Sequence, residues 1–146
     1  VSTVAIRLAL QPGAYAGAAF DKPLGLELEG GASRPGLWSD YALPTYGGIG
    51  VYTQTVTLEG AALEKRTWLD LGVVLVAAEV FVNGESAGVR VARPFKFELT
   101  DLLRAGENTV EVHVANTIAP HYTTIPAQNL GPTESGLLGP VSLYQE

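Results

Sequence analysis

The sequence predicts an all-β protein that folds as an antiparallel β-sandwich of the jelly-roll type. Helical periodicity is nearly absent, whereas apolar and polar residues often alternate with a period of two. Turns rich in Gly, Pro and Asn separate about seven short apolar segments, as in sandwiches and jelly rolls. The chain has 146 residues, 47% apolar and 16% charged, which suffice for one domain with its own core.

The predicted strands follow one another along most of the chain. They are Val4–Leu10, Gly50–Leu58, Arg66–Gly72, Ala78–Val91, Phe95–Leu99, Asn108–Asn116 and Gly139–Gln145. The fourth segment contains the pair Asn83-Gly84, and both residues tolerate the positive φ of a type I′ turn. This segment is therefore predicted to be two strands joined by a hairpin turn.

The connecting segments show weaker patterns. A short helical turn is predicted in "TDLLRAGEN", with Thr100 or Asp101 capping its start and Gly106 ending it in the left-handed conformation. Residues 11–35 are predicted to be rich in loops, and residues 117–138 contain no clear strand. A run of some twenty residues without regular structure inside a compact domain is often functional.

Composition restricts the class of function. The net charge is −6, and the nine Lys and Arg residues are scattered, which disfavours nucleic acid as a partner. No apolar run reaches the roughly 18 residues that span a bilayer, so no membrane partner is expected. Cysteine is absent, which excludes disulfides and thiolate chemistry but does not by itself locate the protein. A secreted or periplasmic location is expected rather than a cytoplasmic one. Methionine is also absent, even at position 1, which suggests that the chain was processed or cut from a longer one.

Several segments together resemble a known family. "AEVFVNGESAGVRVARPFKFELTDLLRAGENTVEVHVANT" and the later "SGLLGPVSL" resemble the sugar-binding jelly-roll domain of family 2 glycoside hydrolases. The upstream "YGGIGVYTQTVTL" and "WLDLG" fit the same pattern, so the resemblance runs from about Tyr41 to Leu143. The ending "SGLLGPV" is also similar to domains of α-L-rhamnosidase-type enzymes.

The resemblance implies a galactose-binding-like β-sandwich. It also implies that residues 1–146 form a single domain belonging to a larger glycoside hydrolase, whose catalytic domain would be a partner. The two catalytic carboxylates of the family lie on a separate barrel domain, which has no counterpart here. The resemblance therefore implies no active site in this chain.

The residues themselves also argue against catalysis. Glycoside hydrolysis needs two carboxyl groups about 5 Å apart in retaining enzymes and further apart in inverting ones. Glu79, Glu98 and Glu111 alternate with apolar neighbours and are expected to face solvent, so no catalytic pair stands out. His113 and His121 are the only histidines, and no Gly-x-Ser-x-Gly motif is present. We therefore predict that the domain is not itself an enzyme.

No cofactor is predicted to be required. The two histidines are eight residues apart, one in a strand and one in a loop, which does not suggest a transition-metal site. No Asp-x-Asp-x-Asp calcium loop is present either. A structural calcium held by scattered carboxylates and backbone carbonyls remains open, without ligands that the sequence can name.

Sugar binding needs aromatic rings against the C–H face of a pyranose, and polar side chains against its hydroxyls. The candidates are Trp38, Tyr41, Asn116, His121, Tyr122, Gln128, Asn129 and Glu134. Trp38 and Tyr41 precede the strand at residue 50, in a segment where Pro44 disfavours pairing. Tyr46 and Tyr52 are instead interpreted as structural.

Three further positions leave alternatives open. Asn116 continues the inward-facing alternation of the preceding strand, so its side chain either reaches a ligand at the rim or caps a turn. His121 and Tyr122 lie in a proline-containing loop that either binds a ligand or packs on a neighbouring domain. Trp68 and Phe81 are expected on outer sheet faces, where they cover the sheet or meet another domain.

The sequence thus predicts a non-catalytic carbohydrate-binding module that recognises a glycan through loops at one rim of the sandwich. The alternative is a structural accessory domain that braces the catalytic domain and has no ligand of its own.

Overall fold

A computed structural model of the protein describes residues 34–123 and 133–146. The predicted strand Val4–Leu10 and nearly all of the segment 11–35 lie outside the described residues. The described strands are β1 Gly36–Leu37, β2 Ile49–Leu58, β3 Thr67–Asp70, β4 Val73–Leu75, β5 Ala77–Val82, β6 Glu85–Arg90, β7 Lys96–Glu98, β8 Gly106–Ala115, β9 Gly136–Gly139 and β10 Ser142–Gln145. Short 3-10 helices cover Trp38–Tyr41, Gly60–Glu64 and Thr100–Leu102, and a four-residue α-helix, α1, covers Ala119–Tyr122.

The strands form three antiparallel sheets. One has four strands in the order β2-β8-β5-β6, and the other two have the orders β10-β3-β7 and β1-β9-β4. Inward-facing side chains of all three sheets join one hydrophobic core. The predicted all-β sandwich is therefore confirmed.

The four-stranded sheet follows the alternation that its sequence predicts. Strands β2 and β8 pair over ten residues, from Ile49 opposite Ala115 to Leu58 opposite Gly106. Every second residue of β5 and β8, from Ala78 to Val82 and from Asn108 to Val114, is buried against the core. Asn83 and Gly84 between β5 and β6 have φ values of 53° and 86°, which confirms the predicted hairpin turn.

A bent two-stranded ribbon connects the two three-stranded sheets. Strands β3 and β10 pair with Asp70 opposite Ser142, and β4 and β9 continue the pairing with Val73 opposite Gly139. The bend lies at Gly72, which has φ +63° and forms a bridge with Gly139. A Cβ atom at Gly72 would lie 2.5 Å from the carbonyl carbon and oxygen of Gly139, so the bend depends on glycine.

The helical turn predicted in "TDLLRAGEN" is confirmed as the 3-10 helix Thr100–Leu102, but three other expectations about the connecting segments are wrong. Residues 117–138 were expected to contain no strand, but β9 begins at Gly136 and α1 precedes it. The 3-10 helix after β7 has Leu99 at its N-cap, with no side-chain capping bond. The hydroxyl of Thr100 instead accepts a hydrogen bond of 3.0 Å from the backbone N–H of Thr67, at the start of β3. Gly106 has a positive φ of 89°, but it begins β8 and does not end the helix.

Charged pairs cover the outer face of the β10-β3-β7 sheet. Arg66 donates two hydrogen bonds, of 3.0 and 3.1 Å, to the carboxylate of Glu98, and these lower the pKa of Glu98. The backbone N–H of Gly72 donates to Asp70 at 2.9 Å and lowers the pKa of Asp70, and Lys96 at 3.2 Å acts in the same direction. Both carboxyl groups therefore favour the charged form in the folded state.

These lowered pKa values predict a loss of stability in acid. The ordinary pKa values are 3.8 for Asp70 and 4.5 for Glu98, so their contribution is complete well above these values. It is lost as the pH falls through the ordinary values towards the lower folded-state values. We expect the midpoint of urea unfolding to fall between pH 6 and pH 3. In the double variant Asp70→Asn, Glu98→Gln, the urea midpoint should fall less over this pH range. An equal fall would contradict the assignment of the acid sensitivity to these two carboxyl groups.

Candidate carbohydrate-binding site

Asn116 ties together three segments at one end of the sandwich. Its Nδ2 group donates to the carbonyl oxygen of Tyr46 at 2.7 Å and to the hydroxyl of Ser135 at 2.6 Å. Its Oδ1 atom accepts from the backbone N–H of Gly48 at 2.8 Å, and its own N–H donates to the Gly48 carbonyl at 3.1 Å. We call this end, residues 46–49, 115–123 and 133–136, the rim. Both polar atoms of the Asn116 side chain are thus hydrogen-bonded within the protein. This favours the structural interpretation of Asn116 over a ligand-facing one.

Trp38 was predicted to face a sugar, and this is wrong because its ring lies in the core. The side chain is only 4% exposed, and its Nε1 donates to the hydroxyl of Tyr52 at 2.8 Å. A Cβ atom at Gly50 would lie 2.6 Å from the ring, so the indole packs directly on the backbone of β2. The Trp38 backbone N–H also donates to the carbonyl of Ser135 at 2.8 Å, which fixes the ring beside the Asn116 tie.

Tyr46 and Tyr52 are structural, as expected. Both are partly buried against the core, and the Tyr46 ring lies 5.5 Å from that of Trp38. Tyr41, by contrast, is 40% exposed, and its hydroxyl donates to the carbonyl oxygen of Arg34. One of the two expected ligand-facing rings of this segment is therefore at the surface.

His121 and Tyr122 form an exposed ring pair at the rim. They lie on α1, with ring centroids 5.7 Å apart in an edge-to-face arrangement. Tyr122 is 41% exposed, whereas Pro120 in the same helix is buried and anchors it. A Cβ atom at Gly47 would lie 3.5 Å from the Cα atom of Ile118, so the start of α1 contacts the turn that Asn116 holds.

Of the three remaining candidates, only Glu134 lies among the described residues. Glu134 is exposed and precedes Ser135, whose side chain is 7% exposed and bonded to Asn116. Gln128 and Asn129 lie outside the described residues. The structure therefore places Asn116, His121, Tyr122 and Glu134 in the segments that form the rim.

Tyr46 and Ser135 are site residues that sequence reasoning missed as partners of Asn116. They contribute a backbone carbonyl and a hydroxyl from positions 70 and 19 residues away in sequence. A backbone carbonyl carries no residue-type signal, so the sequence contained no motif that could have identified this tie.

Removing the Asn116 amide should loosen the rim. The Asn116→Ala variant leaves the Gly48 N–H, half-buried in the fold, without its partner, and we expect unfolding free energy to fall by ~2 kcal/mol. The Asn116→Asp variant keeps the acceptor for Gly48 but loses the donor to the Tyr46 carbonyl and places a carboxylate against it, so it should also be destabilised. Urea unfolding of both variants is the test, and a loss under ~0.5 kcal/mol for Asn116→Ala would contradict a structural tie.

The described residues contain neither a metal-binding cluster nor a membrane-spanning helix. Within residues 34–123 and 133–146, no group of three or more His, Asp or Glu side chains is arranged to hold a metal ion. In the same ranges, no helix is long and apolar enough to cross a membrane. His113 lies 3.4 Å from Glu111, but this pair is in β8 and is not among the rim residues.

The fold and the rim define the class: a β-sandwich domain in which side chains from distant segments fix one exposed end. Residues 7–146 match the model of the sugar-binding domain of glycosyl hydrolases family 2. The chain therefore belongs to this family.

Three relatives are similar to parts of the chain. A rhamnosidase structure from Novosphingobium sp. PP1Y is 32% identical, with a TM-score of 0.58, over 70% of this chain and 11% of that one. A Formosa agariphila protein provisionally named a β-glucuronidase is 34% identical over 51% of this chain and 7% of its own length. A Clostridium acetobutylicum β-galactosidase is 35% identical over 48% of this chain and 8% of its own. The chain thus spans less than a tenth of the curated relatives that it matches.

Proposed function

We propose that this chain is a non-catalytic carbohydrate-binding domain of a family 2 glycoside hydrolase and that it recognises a glycan at the rim. The observation that carries this proposal is the exposed ring pair of His121 and Tyr122 beside a turn that Asn116 holds. Membership of a sugar-binding domain family supports the choice of ligand class.

The exposed groups at the rim have the chemistry that a sugar requires. The ring of Tyr122 can pack on the C–H face of a pyranose, while His121 and Glu134 can hydrogen-bond to its hydroxyls. Tyr41 offers a second exposed ring from the segment before β2. Gln128 and Asn129 are proposed as further hydroxyl partners on sequence grounds alone. Recognition of this kind requires no cofactor.

The proposed parent protein is much longer than this chain and contributes the catalysis. Two exposed rings and a few polar groups predict weak binding, since small contact areas give little surplus over the cost of ordering a ligand. Tethering to a catalytic domain that acts on the same glycan would raise the effective concentration and compensate for weak affinity.

A titration of the 146-residue protein with mono- and oligosaccharides, followed by NMR, tests the proposal. Amide signals of residues 117–123 should shift, and Tyr122→Ala should weaken binding about tenfold, because the loss of one stacked ring is worth ~1.4 kcal/mol. Tyr144→Ala, on the outer face of the β10-β3-β7 sheet, is the matched control and should bind normally. Equal affinity of Tyr122→Ala and the wild type would refute the rim as the binding site.

A structural role without a ligand is the second candidate. Ile118 at the rim is 60% exposed, and an apolar side chain in that position suits a contact with another domain. This candidate predicts no NMR response to any sugar. It also predicts that Ile118→Asp destabilises a longer protein containing the catalytic domain while leaving the 146-residue chain unaffected.

A further inference from the structure

A second cluster of chemically suitable side chains lies outside the rim residues, on the outer face of the four-stranded sheet. It consists of Glu79 and Phe81 on β5 and Glu111 and His113 on β8, and we call it the face cluster. Glu79 pairs with His113, and Phe81 pairs with Glu111, in adjacent rows of the sheet. All four alternate with buried residues, so they project from the outer face.

The four side chains form two diagonals. On one diagonal, the rings of Phe81 and His113 lie 4.8 Å apart and are inclined by 45°. The two carboxylates occupy the other diagonal. Glu79 accepts a bond of 3.1 Å from the hydroxyl of Ser86, and Glu111 lies 3.4 Å from His113 Nε2. A carboxylate has about four acceptor sites, so these contacts leave capacity for a ligand.

Apolar side chains extend the face cluster on both sides. Val51 on β2 pairs with His113 and is 55% exposed, and Val89 on β6 pairs with Glu79 and is 52% exposed. Four strands spaced by about 4.8 Å give a surface roughly 14 Å wide. An elongated ligand can therefore cross all four strands over alternating apolar and hydrogen-bonding groups.

The position of the face cluster restricts how a ligand is recognised. Strands β8 and β5 are the two central strands of the β2-β8-β5-β6 sheet, and their backbone groups are paired on both sides. A peptide that adds to a sheet requires an edge strand, whereas the four residues of the face cluster lie on the two central strands. Recognition must come from side chains, and here these are rings, valines and acceptors of hydrogen bonds.

We propose that the face cluster is a second carbohydrate-binding site, which takes a neutral glycan chain. The rings and valines would contact the C–H faces of successive sugar units, and Glu79 and Glu111 would accept bonds from hydroxyl groups. Two carboxylates with no Lys or Arg in the face cluster would repel a uronic acid. This site extends the proposed function but does not depend on binding at the rim.

The test is an NMR titration of the ¹⁵N-labelled protein with neutral cello-, xylo-, manno- and galacto-oligosaccharides and with oligogalacturonate. At least one neutral series should shift the amides of residues 79–81 and 111–113, and the uronate should not. Glu79→Gln, Glu111→Gln and Phe81→Ala should each weaken that binding about tenfold, whereas Tyr144→Ala, on the outer face of the β10-β3-β7 sheet, should leave it unchanged. Because the Gln variants preserve shape, they keep the test valid if Phe81→Ala fails to fold.

Three outcomes would overturn the proposal. The first is that no neutral oligosaccharide shifts these amides, and the second is that oligogalacturonate binds there equally well. The third is that an Arg-rich peptide binds these residues more tightly than every sugar, which would identify a protein-docking surface. Sugar-induced shifts confined to residues 117–123 would refute the face cluster while leaving the rim proposal intact, and shifts confined to the face cluster would do the reverse.

Discussion

Replacing Gly72 with alanine should lower the free energy of unfolding by ~2–5 kcal/mol. The new Cβ atom would lie 2.5 Å from the carbonyl carbon and oxygen of Gly139 and 2.7 Å from the carbonyl oxygen of Pro140. These are backbone atoms within the bent ribbon, so the clash cannot be relieved by turning a side chain. Overpacking adds ~1–3 kcal/mol to the ~1–2 kcal/mol cost of φ +63° for an L-residue. Urea unfolding monitored by tryptophan fluorescence measures the loss.

Gly84→Ala is the matched control for this prediction. Gly84 also has a positive φ, 86°, but a Cβ atom there would have no heavy atom within 4 Å. It should therefore show only the conformational cost, ~1–2 kcal/mol. Similar losses at Gly72 and Gly84 would mean that the ribbon can move apart at its bend and that close packing there contributes little.

Asn108→Ala should be similarly damaging, at ~2–4 kcal/mol, because Asn108 is a fully buried polar residue with every group bonded. Its Oδ1 accepts from the backbone N–H of Arg104 at 2.9 Å and from Asn83 Nδ2 at 3.0 Å. Its Nδ2 donates to the carbonyls of Arg104 at 2.8 Å and Gly106 at 3.1 Å. The alanine variant leaves these partly buried backbone groups without the partners that Asn108 supplies.

Two comparisons interpret the Asn108 result. Asn108→Asp has nearly the same shape and keeps an acceptor for Arg104, but it removes both donors and introduces a buried charge, so it should also be strongly destabilising near neutral pH. Glu107→Ala changes the neighbouring solvent-facing residue and should alter the unfolding free energy by less than ~0.5 kcal/mol. A loss below ~1 kcal/mol for Asn108→Ala would show that water replaces the lost partners.

The strands could be predicted where two local signals coincide. The alternation of Val110, Val112 and Val114 with polar residues identified β8, and Asn83-Gly84 identified the hairpin between β5 and β6. Strand β9 was not predicted because "GLLG" is short and does not alternate. It also begins with a glycine, a residue type common in turns, and this glycine has φ +147° in the structure.

The candidate site was less accessible to sequence reasoning, because residue type does not determine which way a ring faces. Trp38 and Tyr41 are three residues apart in one 3-10 helix, yet one is 4% and the other 40% exposed. The difference arises because residues distant in sequence, such as Tyr52 and Ser135, form hydrogen bonds with Trp38. Phe81 and Trp68 were expected on outer faces, and the pairing of β5 and β3 places them there.

The long-range pairing of β2 with β8 has a consequence for the rate at which the chain reaches its native state. Gly48 and Asn116 are bonded across 68 positions, whereas β5 and β6 are joined by a two-residue turn. Closing the large loop costs entropy before its contacts form, and such topologies fold in milliseconds to seconds, compared with roughly microseconds for an isolated hairpin. We expect the β5-β6 hairpin to form early and the rim to assemble last. In quenched-flow hydrogen exchange, the Gly48 amide should then acquire protection later than the amides of residues 79–82.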